Sequence, residues 1–88
     1  MATAVPDDRV CALLDFERDW AAHQGDKGGA ITERFGISAA RYYQLIARVI
    51  DDPAALAYDP LTVRRLRRRR DERRSQRTAR ALGERTSR

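Results

Sequence analysis

The sequence predicts an all-α fold: a small domain of three or four helices that contains a helix-turn-helix, followed by a basic C-terminal helix or arm. Three observations lead there. Apolar residues recur at spacings of three and four, the period of a helix with one buried face. Aspartate, serine, glycine and proline fall where helices start and stop. The third is length combined with charge. Of 88 residues, those from 61 onward carry twelve arginines and three acids, whereas residues 1–60 carry six basic and ten acidic side chains. The first part is net −4 and the last net +9, which marks a folded head and a basic interaction arm. About sixty residues are left to build a core, which suits short helices better than a sheet sandwich.

The elements follow in order. Residues 1–6 read as a flexible leader, 7–66 as the helical domain, and 67–88 as an arginine-rich arm, partly helical and then disordered from about residue 83. Asp7 or Asp8 caps a first helix running to about His23. Val10, Leu13, Leu14 and Trp20 share one of its faces with Phe16 alongside, and Trp20 is the expected centre of the core. Gln24 to Gly29 is a turn-forming stretch that stops it. A short second helix spans Ala30 to Phe35, and Gly36 closes it in the left-handed conformation. Ser38 caps a third helix, Ala39 to Ile50, with Ile37 and Tyr42 at hydrophobic-staple spacing. Tyr42, Leu45, Ile46 and Val49 form its inner face. Asp52-Pro53 ends this helix and starts a further turn; Asp59-Pro60 opens the last helix. Leu61, Val63 and Leu66 give the last helix apolar surface. Arginines at 64, 65 and 67 to 70 then surround its axis.

The stretch from Ala30 to Leu45 carries the functional reading. A helix-turn-helix wants a small residue where its helices cross, here Thr32, and a positive-φ residue in the turn, here Gly36. It also wants interlocking apolar residues, here Ile31, Phe35, Ile37, Tyr42 and Leu45, and a cap for the second helix, here Ser38. That second helix would enter the major groove of DNA. The DNA-binding candidates on it are Ser38, Ala39, Ala40, Arg41, Tyr43, Gln44 and Arg48. Gln44 suits adenine, Arg41 and Arg48 suit guanine or phosphate, and Tyr43 suits phosphate or an unpaired base. The phosphate-contacting candidates on the arm are Arg64, Arg65, Arg67, Arg68, Arg69 and Arg70, then Arg73, Arg74 and Arg77. Guanidinium forks match phosphate geometry, and each neutralised phosphate steepens the salt dependence of binding. The acidic balance of residues 1–60 opposes this reading, since Asp26, Asp51 and Asp52 lie near the ends of the unit.

A resemblance covers about residues 10–75. Leu13-Leu14-Asp15-Phe16-Glu17-Arg18-Asp19-Trp20, Arg34-Phe35-Gly36-Ile37-Ser38 and Arg41-Tyr42-Tyr43-Gln44-Leu45 carry it. Asp51-Asp52-Pro53-Ala54-Ala55-Leu56 and Asp59-Pro60-Leu61-Thr62-Val63-Arg64-Arg65-Leu66 complete it. With these the chain resembles an uncharacterised actinobacterial family of small proteins with a predicted helix-turn-helix. The resemblance implies a mycobacterial or streptomycete-like source and a regulatory role, and brings no established activity with it.

The expectation is therefore a DNA-binding protein, a transcriptional regulator or nucleoid-associated accessory factor, acting on double-stranded DNA, alone or as a homodimer. One alternative is a protein-interaction module that docks on a transcription or replication partner through the acidic head or the apolar face around Leu61 and Leu66. Another is an RNA- or ribosome-binding protein. No enzyme, cofactor or metal is expected: with one cysteine, Cys11, and one histidine, His23, an ordinary zinc site cannot be assembled. Cys11 reads as a small buried hydrophobe, and Asp15, Glu17 and Asp19 as a solvated or ion-paired face. No apolar run approaches the ~20 residues of a membrane span and no secretory signal is visible, so a cytoplasmic, nucleoid-associated location is expected.

Overall fold

Four of the five helices start at residues that the sequence marks as caps, and the second starts from Asp26. In the computed structural model, which describes residues 7–86 with side chains to 83, the chain forms α1 (Asp8–Trp20), α2 (Lys27–Phe35), α3 (Ala39–Val49), α4 (Pro53–Tyr58) and α5 (Pro60–Thr86), with no strand among the described residues. The side chains of Asp7, Asp26 and Ser38 accept from the backbone N–H of Val10 (2.8 Å), Gly29 (3.0 Å) and Arg41 (3.1 Å). Asp52 and Asp59 do the same for Ala54 (2.9 Å) and Thr62 (3.2 Å) at the two Asp-Pro steps. Such caps satisfy donors that a helix leaves orphaned at its start.

The boundaries differ from the sequence reading first at α1 and α2. α1 stops at Trp20, and the chain reaches His23 through turns closed by Ala22 N–H to Asp19 O and His23 N–H to Trp20 O. α2 begins at Lys27 instead of Ala30, because Asp26 caps it. The glycines there serve the cap: a Cβ on Gly29 would sit 2.5 Å from Oδ2 of Asp26, the partner oxygen of the one that caps the helix.

α1 packs on α4 and α5, α4 on α5, and α2 on α3. The core joins Leu13 and Leu14 of α1, Ile31 of α2 and Tyr42, Ile46 and Val49 of α3 to Ile50, Ala55, Val63 and Leu66. Tyr42, not Trp20, is its aromatic centre. Tyr42 is fully buried and meets Phe16 edge-on at 5.7 Å and Phe35 at 5.6 Å. Trp20 lies half-buried at the end of α1, stacked on Phe16 and on His23. Cys11 is half-buried on the same helix.

Gly36 closes α2 at φ +69°, with its N–H donating to Thr32 O at 2.8 Å. Nothing lies within 4 Å of where its Cβ would be, so a side chain there meets only the backbone penalty. Gly36→Ala is expected to cost roughly 1–2 kcal/mol, read as a lower urea midpoint with an unchanged slope. Thr32 does not occupy the helix crossing as the motif would have it. It is exposed, and its hydroxyl donates to Ile37 O at 3.1 Å, bracing the turn. Ile31 is the residue of α2 that is fully buried in the core.

α5 packs and projects. Val63 (0 % exposed) and Leu66 (8 %) seal it to the head, while Leu61 (78 %) faces out. Of the apolar face expected around Leu61 and Leu66, only Leu61 lies at the surface. Residues 71–83 are all exposed. The 27-residue helix is about 40 Å long and helps make the molecule 56 × 36 × 22 Å. It runs unbroken to Thr86, past the point near residue 83 where disorder is expected from sequence. Arginine is a good helix former, which offsets part of the like-charge repulsion along this segment. The expected leader, 1–6, and residues 87–88 lie outside the described residues.

Candidate nucleic-acid interface

The outward face of α3 is where the sequence places recognition. Ala40, Arg41, Tyr43, Gln44, Ala47 and Arg48 are all exposed. At about 100° per residue the face divides into two flanks. Arg41, Gln44 and Arg48 share one, where the Arg41 guanidinium donates to Gln44 Oε1 at 3.2 Å. Tyr43 and Ala47 share the other, towards α5. Two candidates are already engaged. The Ser38 side chain is the α3 cap, and Ala39 packs against the core.

The arm also divides. Arg64, Arg68, Arg69, Arg73, Arg74 and Arg77 are exposed. Arg65, Arg67 and Arg70 are half-buried and hold α5 to the head. Arg65 donates to Glu17 O in the last turn of α1 at 2.9 Å, and Arg67 donates to Ile50 O at the end of α3 at 2.6 Å. These guanidiniums satisfy C-terminal carbonyls and complement the negative ends of both helices. Arg70 pairs with Asp51 at 2.9 Å. These three of the nine arm candidates engage the head, and the six exposed ones project from it.

The head's acids are largely engaged, which weakens the objection from its net charge. Asp26, Asp52 and Asp59 are caps, and Asp15 pairs with Arg18 at 3.2 Å. The hydrogen bond from Arg70 holds the Asp51 carboxyl below its usual range. Glu17, read from sequence as part of a solvated or ion-paired face, is only 2 % exposed. It takes an ion pair from Lys27 at 3.0 Å and a hydrogen bond from the Tyr42 hydroxyl. Burial and that bond push the Tyr42 hydroxyl far above the ordinary phenol range.

At the head's other side the Tyr58 hydroxyl donates to Asp15 at 2.8 Å, which, with a smaller contribution from desolvation, pushes its pKa up to about 12. The folded value is raised, so this bond is intact below the ordinary phenol pKa of about 10 and is lost as pH rises through 12. An ultraviolet titration is expected to find Asp15→Ala returning Tyr58 toward 10.

The second flank of α3 and the arm meet. Tyr43, Ile46, Ala47 and Ile50 form one side of an open cleft of about 350 Å³. Leu66, Arg69, Arg70, Arg73, Arg74 and Arg77 form the other, and Glu17 and Lys27 also line it. Lys27 lies over the Tyr43 ring at 5.4 Å. Glu17 and Lys27 escape the sequence reading because Lys27 sits in a glycine-rich stretch that reads as loop, and a glutamate with Asp15, Arg18 and Asp19 close by in sequence reads as surface.

A family model described as "Protein of unknown function (DUF3263)" matches residues 7–78. The chain belongs to this family. No curated protein and no solved structure matches it. The DUF3263 match runs from the cap of α1 through Arg77, so both walls of the cleft lie within the family segment. Among the described residues of this DUF3263 protein, no helix is long and apolar enough to cross a membrane, and no group of His, Cys, Asp and Glu could hold a metal ion.

Proposed function

We propose that this protein binds double-stranded DNA, with α2 and α3 acting as a helix-turn-helix and α5 holding the phosphate backbone. The observation that carries this reading is convergence. Tyr43 and Ala47 on one flank of the exposed α3 face and the exposed arginines Arg69, Arg73, Arg74 and Arg77, some thirty residues apart in sequence, border one cleft. Polyanion contact by α5 would then seat α3 against the same duplex. Arg41, Gln44 and Arg48 would face base edges, with bidentate pairs contributing about 1–3 kcal/mol of discrimination each. Tyr43 and the projecting arginines would contact phosphate in any sequence. The role would be that of a transcriptional regulator or nucleoid-associated accessory factor, as the resemblance to actinobacterial helix-turn-helix proteins also suggests.

Polarisation titrations on labelled duplexes at low and moderate salt test this. Binding is expected near 50 mM salt, with log affinity falling linearly against log salt. Replacing Gln44 and Arg48 by alanine is expected to narrow the gap between the best and average sequences while leaving the salt slope within about one unit of the parent. Absence of binding at low salt would end the proposal.

A further inference from the structure

The positive charge of the cleft between α3 and α5 is not matched from within the chain. Ile46, Ile50 and Leu66 lie beneath it in the core, so its accessible lining is polar apart from Ala47 and the Tyr43 ring. On the α5 side Arg69, Arg73 and Arg77 recur every four residues, about 6 Å apart along the helix, with Arg74 beside them. All four are exposed, and the ion pairs among the described residues fall to Arg18, Lys27 and Arg70 instead. The carboxylate in the lining, Glu17, is already neutralised by Lys27 and bonded by the Tyr42 hydroxyl.

Tyr43 is held as a platform at the mouth of this cleft. Tyr42 meets it steeply, at 5.3 Å between ring centres and 83° between planes, and Lys27 covers one of its faces. The residue stays 42 % exposed. The volume of about 350 Å³ lies in the lower part of the ~300–1,000 Å³ range of small-molecule sites. A duplex can rest on the rim of such a cleft, whereas a single nucleotide can lie within it.

We propose that the cleft binds a nucleoside di- or triphosphate. The base packs on the Tyr43 face that Lys27 leaves open, since an aromatic ring holds a base by stacking whatever its identity. The phosphates accept paired N–H donations from Arg73, Arg74 and Arg77, whose planar forks match them. The nucleotide shares Tyr43 and the arginines with the proposed DNA surface, so it and a duplex exclude each other. That consequence rests on the DNA reading, and the site itself does not.

The test uses the full chain without DNA or divalent cations, titrated calorimetrically with ATP and with inorganic tripolyphosphate, which carries at least as much charge. ATP is expected to bind about tenfold tighter, and Tyr43→Ala to bring it down to the level of tripolyphosphate with helix content unchanged. Arg73→Gln with Arg77→Gln is expected to weaken ATP about tenfold more than Arg64→Gln with Arg68→Gln, which removes equal charge from exposed positions outside the cleft. Tripolyphosphate binding as tightly as ATP would reduce the effect to charge alone and overturn the proposal. Equal losses from the two arginine pairs, or no ATP binding at about 1 mM, would overturn it too. None of these outcomes depends on whether the chain binds a duplex.

Discussion

Replacing Arg73, Arg74 and Arg77 together by glutamine is expected to lower affinity for every duplex on the order of a hundredfold near 0.1 M salt, and to reduce the salt slope by about 2.7. The reason is positional. These side chains lie on the exposed stretch of α5 beyond its contacts with the head, so they can approach phosphate without disturbing the fold. Each lost contact removes about 0.9 from the slope. The same substitution at Arg65, Arg67 and Arg70 is expected to act differently. It leaves the carbonyls of Glu17 and Ile50 and the carboxylate of Asp51 without their donors. Its first effect is a lower thermal midpoint, with DNA affinity changed mainly through the loosened seat of α5. Measuring melting and salt-dependent binding on both triple variants separates grip from anchorage, two roles that the arginine run alone does not distinguish.

The largest single-residue effect on stability outside the hydrophobic core is expected at Lys27. Its ammonium is the cation paired with Glu17, whose side chain is 2 % exposed. Lys27→Met leaves a buried carboxylate with only the Tyr42 hydroxyl, and breaking such a pair from one side costs roughly 3 kcal/mol. That is a large share of the 5–15 kcal/mol that holds a small domain together. Combining it with Glu17→Gln is expected to recover most of the loss, because the amide oxygen still accepts from Tyr42 and no buried charge remains. Urea denaturation of the single and double variants measures the coupling. Additive losses would show that the ion pair does not secure α1 to α2.

The helices were largely legible because their signals are local. Asp7, Ser38, Asp52 and Asp59 stand where caps must stand, Gly36 where a left-handed residue must, and the Asp-Pro steps where α4 and α5 begin. The inner face of α3 follows from spacing alone. What was not legible depends on partners far along the chain. Trp20 is larger than Tyr42 and sits on the same kind of stripe, yet it lies at the last residue of α1, half-buried against Phe16 and His23. Glu17 looks like surface until Lys27 and Tyr42 converge on it. Arg65, Arg67 and Arg70 look the same as their neighbours in sequence. Only the direction in which α5 meets the ends of α1 and α3 separates them from Arg64, Arg68 and Arg69. On the candidate interface, the exposed set on α3 was readable from helical period, but its meeting with the arm was not, since no sequence pattern gives the angle between α3 and α5.

The central claim is that one duplex is held by two surfaces together, the outer face of α3 and the projecting part of α5. A chemical-shift titration of the full chain with a short duplex tests it most directly. The account predicts that the backbone amides of Arg41, Gln44 and Arg48 and those from Arg69 to Arg77 shift along one saturating curve. Shifts confined to the arm, with α3 unmoved at saturation, would contradict it and leave a polyanion-binding helix attached to a head that reads nothing.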